Sequence, residues 1–293
     1  MITHVYHCLP LAFPGFSPHR VSVKPIPLED NFTDVVGKAQ RGLQINDEQL
    51  ASKAGVSAAD IARVKEGDPD EQVLKKIAPV LNLAAAPLVA LAKKSWFPSG
   101  PAEVPGLACF NTAYGDMTVN SYLVWDTKTS QGVCFDSGAD ASEMAKFAAS
   151  KQIRIQLILL THTHPDHVAD LARLSKVTQA KAYVCKLEAI DGAEGFDTGK
   201  TFTVGPLKIE TRQTKGHSRG GITYLVSGLP NRIAVVGDAM FAGSMGGGGV
   251  SYADALKTNR ENILTLPDDT ILCPGHGPLT TVGQEKVNNP FFP

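Results

Sequence analysis

Apolar residues recur at helical spacing in the first third of the chain. Between residues 37 and 95 they stand three or four positions apart, as in helices with one buried face, at Leu50, Ala51, Ala54, Ile61, Val64, Leu74, Ile77, Ala78 and Leu81. Gly55-Val56-Ser57 interrupts this pattern, and Ser57 is a residue type that begins helices well. The pattern predicts a small all-helical domain over residues 37–97. Residues 1–36 contain five prolines and are predicted to form an extended arm and not a helix.

A different pattern begins after a linker rich in proline and glycine over residues 96–106. Short apolar runs that are typical of strands alternate with stretches of helical spacing. The runs cover 121–125, 132–135, 155–160, 222–226 and 233–236, and the helical stretches cover 141–151, 166–176 and 251–264. This alternation predicts an α/β or α+β layered domain over residues 98–293.

The composition is that of a globular protein, with 43% hydrophobic and 19% charged residues. Lys and Arg total 28 against 29 Asp and Glu, so the whole chain has no charge bias toward nucleic acid or an anionic membrane. The five cysteines form no Cys-x-x-Cys pair and favour a reducing compartment over a disulfide framework. The chain begins without the features of a signal peptide and contains no apolar run of about 20 residues. We therefore expect a cytoplasmic protein without a membrane partner.

Three histidines and one aspartate lie within six residues, at His162, His164, Asp166 and His167. His162 and His164 follow an apolar strand two positions apart, so their side chains leave on the same side. Pro165 turns the chain, and Asp166 and His167 then begin a helix, where a carboxylate is favoured by the helix dipole. Imidazole nitrogens and carboxylate oxygens are the usual ligands of zinc and similar divalent ions. The cluster therefore predicts a metal site.

Three further candidate ligands are spread along the second half of the chain. Asp238 directly follows an apolar run, and His217 and His276 lie in glycine-rich turns. Two ions that each keep a place for water need about seven protein ligands, and these residues complete that number. A single loop histidine is more often a surface residue, so spacing alone leaves a surface position and a metal-ligand role equally open for each of these three.

The order of these motifs resembles the metallo-β-lactamase superfamily. His162-x-His164-x-Asp166-His167 is followed by Gly216-His217, Gly237-Asp238 and Pro274-Gly275-His276-Gly277-Pro278, and Asp136-Ser137-Gly138 is similar to that family's Asp-x-Gly turn. The resemblance covers about residues 105–293. It implies an αββα sandwich with metal ions at one edge, joined here to a small N-terminal all-helical domain.

The resemblance also implies a ligand set for two divalent metal ions, expected to be zinc, with iron or manganese as alternatives. One ion would be bound by His162, His164 and His217, the other by Asp166, His167 and His276, and Asp238 would bridge them.

The resemblance further implies a mechanism of hydrolysis. A hydroxide between the ions would be the nucleophile, because a bound metal ion lowers the pKa of water from about 16 toward about 7. Asp166 would be the catalytic residue that orients this hydroxide and shuttles a proton. Asp136 would hold the metal-binding loops in place from behind the ligands.

Within the superfamily, the last third of the chain is similar to the hydroxyacylglutathione hydrolase (glyoxalase II) group. The similar segments are 237–244, 266–270 and 275–281, followed by Asn289-Pro290-Phe291. This implies hydrolysis of a thioester or ester of a small-molecule substrate. The chain departs from the group at residues 246–249, where four glycines stand in place of basic or aromatic residues that help hold glutathione. A glycine run there allows a close backbone approach to a ligand or a mobile surface turn.

Two residues outside the metal motifs are candidates for contact with the substrate. Arg219 follows the His217 motif, and Tyr252 follows the glycine run. Each is equally compatible with an ordinary surface or packing position.

Residues 48–67, with the later apolar positions 74–81, resemble the helix-turn-helix of the Cro/repressor type. The start of the recognition helix reads Ser57-Ala58-Ala59-Asp60, which offers few groups for reading base edges and an acid that would repel phosphate. Nine Lys and Arg stand against seven Asp and Glu over residues 37–95, a net charge of only +2. A structural or dimerising role, giving a homodimer, is therefore favoured over DNA binding.

Two other functions fit the same motifs. One is a mononuclear iron dioxygenase of the same fold that acts on a glutathione persulfide, with the iron held by two His and one Asp. The other is a DNA-binding regulator in which the sandwich senses a ligand. The full set of seven ligands favours the two-metal hydrolase.

Overall fold

The computed structural model describes residues 26–100 and 103–293, so most of the predicted N-terminal arm lies outside the described residues. Five helices form the N-terminal helical unit: α1 Phe32–Leu43, α2 Asp47–Ala54, α3 Ala58–Lys65, α4 Glu71–Val80 and α5 Ala85–Ala92. Ser57 begins α3 as predicted, with its hydroxyl accepting a hydrogen bond from the Asp60 amide. Gly55 ends α2 in the left-handed region at φ 64°, where glycine is not strained.

The first helix begins earlier than the sequence pattern predicts. α1 starts at Phe32, inside the segment expected to be an extended arm. Asn31 accepts hydrogen bonds from the amides of Thr33 and Asp34, and the Asp34 carboxylate accepts one from the Asn31 amide. This reciprocal cap starts the helix. The last proline of the segment, Pro27, lies before it and does not oppose it. The prediction of no helix was therefore wrong for residues 32–36.

The rest of the chain contains two six-stranded sheets. In the first, the strands lie in chain order and β3 to β6 run parallel: β1 Leu107–Tyr114, β2 Met117–Trp125, β3 Gln131–Phe135, β4 Arg154–Leu159, β5 Lys181–Cys185 and β6 Ala193–Phe196. In the second, the order is β12-β11-β10-β9-β8-β7, with β7 Thr201–Val204, β8 Leu207–Gln213, β9 Ile222–Ser227, β10 Ile233–Gly237, β11 Ile271–Pro274 and β12 Thr280–Thr281.

The helices of this part lie between and after the strands: α6 Ser142–Ser150, α7 Pro165–Val168, α8 Leu171–Thr178, α9 Tyr252–Asn262 and α10 Val282–Asn288, with a 3-10 turn at Lys186–Glu188. All five predicted strands and the predicted helical stretches are present, although the stretch 166–176 is divided into α7 and α8. Among the described residues, no helix is both long and apolar enough to cross a membrane.

Three apolar cores define the layers. The inner faces of the two sheets pack together, with Phe135 of one sheet against Tyr224 of the other. α6 and α8 cover the outer face of the first sheet. The outer face of the second sheet is covered by α9 and also by the helical unit. The predicted αββα sandwich with an N-terminal helical region is thus confirmed.

The helical unit and the second sheet share one continuous core. Val36 of α1 and Leu74 of α4 belong to the same buried cluster as Val236 of β10. A Cβ on Gly42 of α1 would lie 2.2 Å from the Tyr252 ring, so these helices approach as closely as a glycine allows. The helical unit is therefore part of the outer layer of the sandwich and not an appended module.

Candidate metal centre

The seven predicted ligands lie at one edge of the sandwich because the elements that carry them end there. His162 and His164 follow β4, and Asp166 and His167 lie in α7. Asp238 and His276 follow the parallel neighbours β10 and β11, whose last residues are paired, and His217 lies between β8 and β9. The structure brings all seven together in two groups, and the ligand atoms within each group lie within 4.8 Å of one another.

The first group contains three histidines and Asp238. His164 Nδ1 lies 3.0 Å from His162 Nε2 and 2.9 Å from His217 Nε2. Asp238 Oδ2 lies 3.3 Å from His217 Nε2. Three nitrogens and a carboxylate oxygen therefore converge on one point, as the ligands of a tetrahedral ion do.

The second group contains Asp166, His167 and His276. Asp166 Oδ2 lies 3.3 Å from His276 Nε2 and 3.5 Å from His167 Nε2. Asp238 reaches this group as well, since its Oδ1 lies 3.2 Å from His167 Nε2 and its Oδ2 lies 3.5 Å from His276 Nε2. The Asp238 carboxylate thus stands between the two groups, where a bridging ligand would stand.

The ring nitrogens that face away from the centre are held by other groups. His162 Nδ1 lies 3.1 Å from Thr161 Oγ1, and His167 Nδ1 donates to Asp136 at 2.9 Å. His217 Nδ1 donates to the Gly247 carbonyl at 3.1 Å, and His276 Nδ1 donates to the Thr118 carbonyl at 2.7 Å. These contacts fix the tautomer of each ring and aim Nε2 at the centre.

Two buried atoms at the centre have no hydrogen-bond partner among the described residues. They are His167 Nε2 and Asp238 Oδ1. Buried polar atoms are paired in nearly all proteins, so these orphaned atoms need a partner of another kind. Bound divalent cations would satisfy both atoms, and the residues present therefore fit a two-metal centre.

The electrostatics of the centre agree with this interpretation. Burial acts to lower the pKa of His167, but the Asp238 and Asp136 carboxylates outweigh it and raise that pKa to about 10. Burial also acts to lower the pKa of His276, which hydrogen bonds to Asp166 and Asp238 raise to about 11. The carboxylates therefore attract positive charge, and a metal ion would take the place of these protons.

Asp136 supports the centre from behind. It lies in the left-handed region at φ 57°, and accepts hydrogen bonds from the Thr161 amide at 2.7 Å, the Thr161 hydroxyl at 2.8 Å and His167 Nδ1 at 2.9 Å. Thr161 in turn contacts His162. One carboxylate thus contacts His167 of the second group directly and reaches His162 of the first group through Thr161.

The glycine run at 246–249 packs against the centre. A Cβ on Gly246 would lie 1.9 Å from the Asp238 carbonyl oxygen and 2.8 Å from His217 Nδ1. A Cβ on Gly248 would lie 2.5 Å from Tyr252 Cα. Gly246 and Gly248 thus lie close to other atoms of the chain, whereas Gly247 has open space around it. The close approach to a ligand that the sequence left open stays a prediction.

The two candidate substrate contacts have different surroundings. Arg219 is exposed and lies two residues from His217. Tyr252 is buried in the core shared with the helical unit, where its ring contacts Gly42 and Phe291. Tyr252 therefore has the surroundings of a packing residue, and Gly42 leaves room on α1 for its ring.

Sequence reasoning did not identify several groups near the centre. The Thr118 and Gly247 carbonyls orient two histidines, but backbone groups carry no sequence signal. Glu29, just before α1, has its Oε2 atom 3.9 Å from His276 Nδ1, and burial raises its pKa. Its position could not be read from the sequence, because it depends on how the helical unit packs against β11.

Comparison with known proteins identifies the same region. The Metallo-beta-lactamase superfamily model matches residues 114–276, which is more than half of the chain. The match spans six of the seven ligands completely and ends on the seventh, His276.

Individual relatives are distant but cover nearly their full length. A probable metallo-hydrolase, YqgX of Bacillus subtilis, is 28% identical over 202 residues, which are 61% of this chain and 94% of that protein. The hydroxyacylglutathione hydrolase GloC of Haemophilus influenzae is 26% identical over 198 residues, 59% of this chain and 92% of that protein. The crystal structure of BLEG-1 B3 metallo-beta-lactamase has a TM-score of 0.55 at 26% identity, covering 63% of this chain and 99% of its own.

Proposed function

This chain belongs to the metallo-beta-lactamase superfamily, and from that premise we propose that it hydrolyses a thioester or ester at a centre of two divalent metal ions, expected to be zinc. The observation that carries the proposal is the pair of ligand groups joined by Asp238. Oxidation at a single iron needs only two His and one Asp, and this chain brings together four further ligands. A second ligand group is explained by a second ion.

The side chains of the centre would have different roles in the reaction. Bound divalent ions would supply an activated water and polarise the substrate carbonyl. Asp166 contacts His276 and His167 through Oδ2, which leaves Oδ1 to accept a proton or orient a water. Asp238 is nearly fully buried and holds the two ligand groups together. His164 and His217 are the most exposed residues of the two groups, and the His217 side chain is 19% exposed, so the substrate would enter on the side of these two histidines.

The thioester part of the proposal is supported by the relative named hydroxyacylglutathione hydrolase. The glycine run at 246–249, which approaches His217, offers no cation for the carboxylates of glutathione. Arg219 is an exposed cation two residues from His217 and is the candidate contact for an acidic group of the substrate. We therefore propose a thioester or ester substrate and do not restrict the thiol to glutathione.

Substitution of the ligands tests the proposal. We expect Asp166→Ala and His164→Ala each to nearly abolish hydrolysis across a panel of thioesters, esters and lactones, measured on the zinc-loaded chain. Asp191→Ala is the control, since Asp191 is exposed and is not close in sequence to any of the candidate ligands. Full activity in either ligand variant, with circular dichroism unchanged, would show that the site is misassigned.

Metal analysis separates the hydrolase from the iron dioxygenase. The proposed hydrolase requires two ions per chain, and the dioxygenase requires one iron. A preparation with one tightly bound iron and oxygen-dependent turnover of a persulfide would overturn the hydrolase proposal.

We propose a structural role for the helical unit, with homodimer formation as the second role. Arg63 of α3 forms ion pairs with Asp60 and Asp68, and Lys65 pairs with Asp47. These acids reduce the charge that α3 offers to phosphate. Sedimentation of the purified chain tests for the dimer, and salt-dependent binding to duplex DNA at low ionic strength would contradict the structural role.

A further inference from the structure

Glu188 joins two loops that carry ligands of the first group. It ends the 3-10 turn after β5. Its Oε2 atom accepts a hydrogen bond from the Thr163 hydroxyl at 2.8 Å, and its Oε1 atom accepts one from the Gly220 amide at 2.8 Å. Both carboxylate oxygens are thus used, one for each loop.

The two loops come from different sheets. Thr163 stands between His162 and His164, after β4 of the first sheet, whereas Gly220 follows His217 between β8 and β9 of the second. The distance of 2.9 Å between His164 Nδ1 and His217 Nε2 therefore depends on how these loops are placed relative to each other. The Glu188 side chain contacts both loops beside these ligands.

We infer that Glu188 is a positioning residue for the first metal ion, which sets the separation of His164 and His217 through hydrogen bonds to Thr163 and Gly220. This inference rests on the proposed two-metal centre and assigns a role to a residue outside its seven ligands. Outer groups that orient metal ligands typically change metal affinity by about 10- to 100-fold when they are removed.

The residues around Glu188 fit its close contact with Gly220. A Cβ on Gly220 would lie 2.6 Å from Glu188 Cγ and 3.1 Å from Cys185 Sγ, so the close approach requires glycine. Burial acts to raise the pKa of Glu188, but the hydrogen bonds from Gly220 and Thr163 outweigh it and lower that pKa. The group is therefore a charged acceptor, which strengthens both hydrogen bonds.

Loss of Glu188 should weaken the binding of one ion only. In the second group, His167 is held by Asp136 and His276 by the Thr118 carbonyl, and neither contact involves Glu188. The bases of the two loops are joined independently, because the Ile222 amide donates to the Thr161 carbonyl at 2.9 Å. Loss of Glu188 should therefore loosen the loop tips without unfolding the sandwich.

Co²⁺ titration of the metal-stripped full-length chain, followed by absorption and chelator competition, tests the inference. The wild type should bind two equivalents, and His164→Ala identifies the step that belongs to the first group. We expect Glu188→Ala to weaken that step by about 10- to 100-fold and to leave the other unchanged. Gly220→Ala should weaken the same step, because its methyl group displaces the carboxylate.

Two further variants complete the test. Glu188→Gln keeps an acceptor for the Gly220 amide and can donate to Thr163 Oγ1, so it should restore most of the affinity. Glu194→Ala, an exposed glutamate on the neighbouring strand, is the control and should behave as the wild type. The inference would be overturned if Glu188→Ala bound Co²⁺ at the first-group step as tightly as the wild type. It would also be overturned if Glu188→Ala and Glu188→Gln both weakened the two binding steps equally. A wild type that binds fewer than two Co²⁺ would overturn the metal centre, and this inference with it.

Discussion

Asp136→Asn changes one atom at the group that supports both halves of the metal centre. The Asp136 carboxylate accepts three hydrogen bonds, two from Thr161 and one from His167 Nδ1. Asparagine has nearly the same shape and tolerates the left-handed backbone at this position. The variant therefore tests the acceptor and not the fold.

The amide has one oxygen where the carboxylate has two, so one contact must fail. If the oxygen keeps the Thr161 amide, the NH₂ group faces His167 Nδ1, which must then accept, and the ring proton moves to Nε2. That nitrogen lies 3.2 Å from Asp238 Oδ1 and is the atom that would bind the ion. If the amide flips, its NH₂ group faces the Thr161 N–H, which the carboxylate accepts at 2.7 Å in the wild type. The Thr161 N–H then has no acceptor, and leaving a buried donor unpaired costs about 1–3 kcal/mol.

The first orientation weakens binding of the second ion, and the unpaired Thr161 N–H disfavours the flipped one. We expect affinity for the second ion to fall by about 10- to 100-fold, equivalent to about 1.4–2.7 kcal/mol. Competition between the chain and a chromophoric zinc chelator measures this change. Asp140→Asn, four residues along and on the surface, is the matched control. Zinc affinity in Asp136→Asn equal to that of the control would refute the argument that this carboxylate sets the tautomer of His167.

Three further tests use variants at other positions. Gly246→Ala should lower metal affinity, because its Cβ would meet His217 Nδ1 at 2.8 Å, whereas Gly247→Ala has open space and should bind zinc as the wild type does. Glu285→Gln should change the pH dependence of stability. Burial raises the Glu285 pKa from 4.5 to about 7, so its stabilising contribution is complete below pH 4.5 and is lost as pH rises to 7. Urea unfolding should show the variant gaining about 3 kcal/mol relative to the wild type across that range, and a constant difference would contradict this sign. Asn31→Ala removes the cap of α1 and should cost about 1 kcal/mol in the same assay; no loss would mean that the cap does not stabilise the helix.

The sequence predicts the candidate ligands of the centre better than it predicts the groups that orient them. His162, His164, Asp166 and His167 are visible because their chemistry is concentrated in one short segment. His217, Asp238 and His276 are visible only through the order of motifs in a family, since their meeting point depends on strands paired far apart along the chain. The Gly247 and Thr118 carbonyls could not be predicted, because any residue supplies a backbone oxygen.

In the fold, too, the elements that were predicted are those with a clear local pattern of apolar residues. Apolar runs identify β4 and β10 because β10 is buried throughout and β4 has buried residues on both faces. β7 and β8 alternate buried and exposed residues over short lengths, and the sequence pattern did not separate them from loops. α1 was placed too late because proline density dominated the interpretation of residues 1–36, although the cap at Asn31 acts only on the residues after it.

The helix-turn-helix pattern illustrates what an apolar pattern determines. The spacing of Leu50, Ile61 and Leu74 determines that these helices pack together, and they do so in one core. It does not determine what the outer surfaces contact. Here the unit's first helix turns toward the metal centre: Lys38 pairs with Asp30 and donates to the Met245 carbonyl. The Lys38 ammonium group also lies over the Phe241 ring, whose edge-on contact is with the ligand His276. Movement of the helical unit away from the sandwich to engage a separate partner would break these part-buried Lys38 contacts, which supports the proposed structural role.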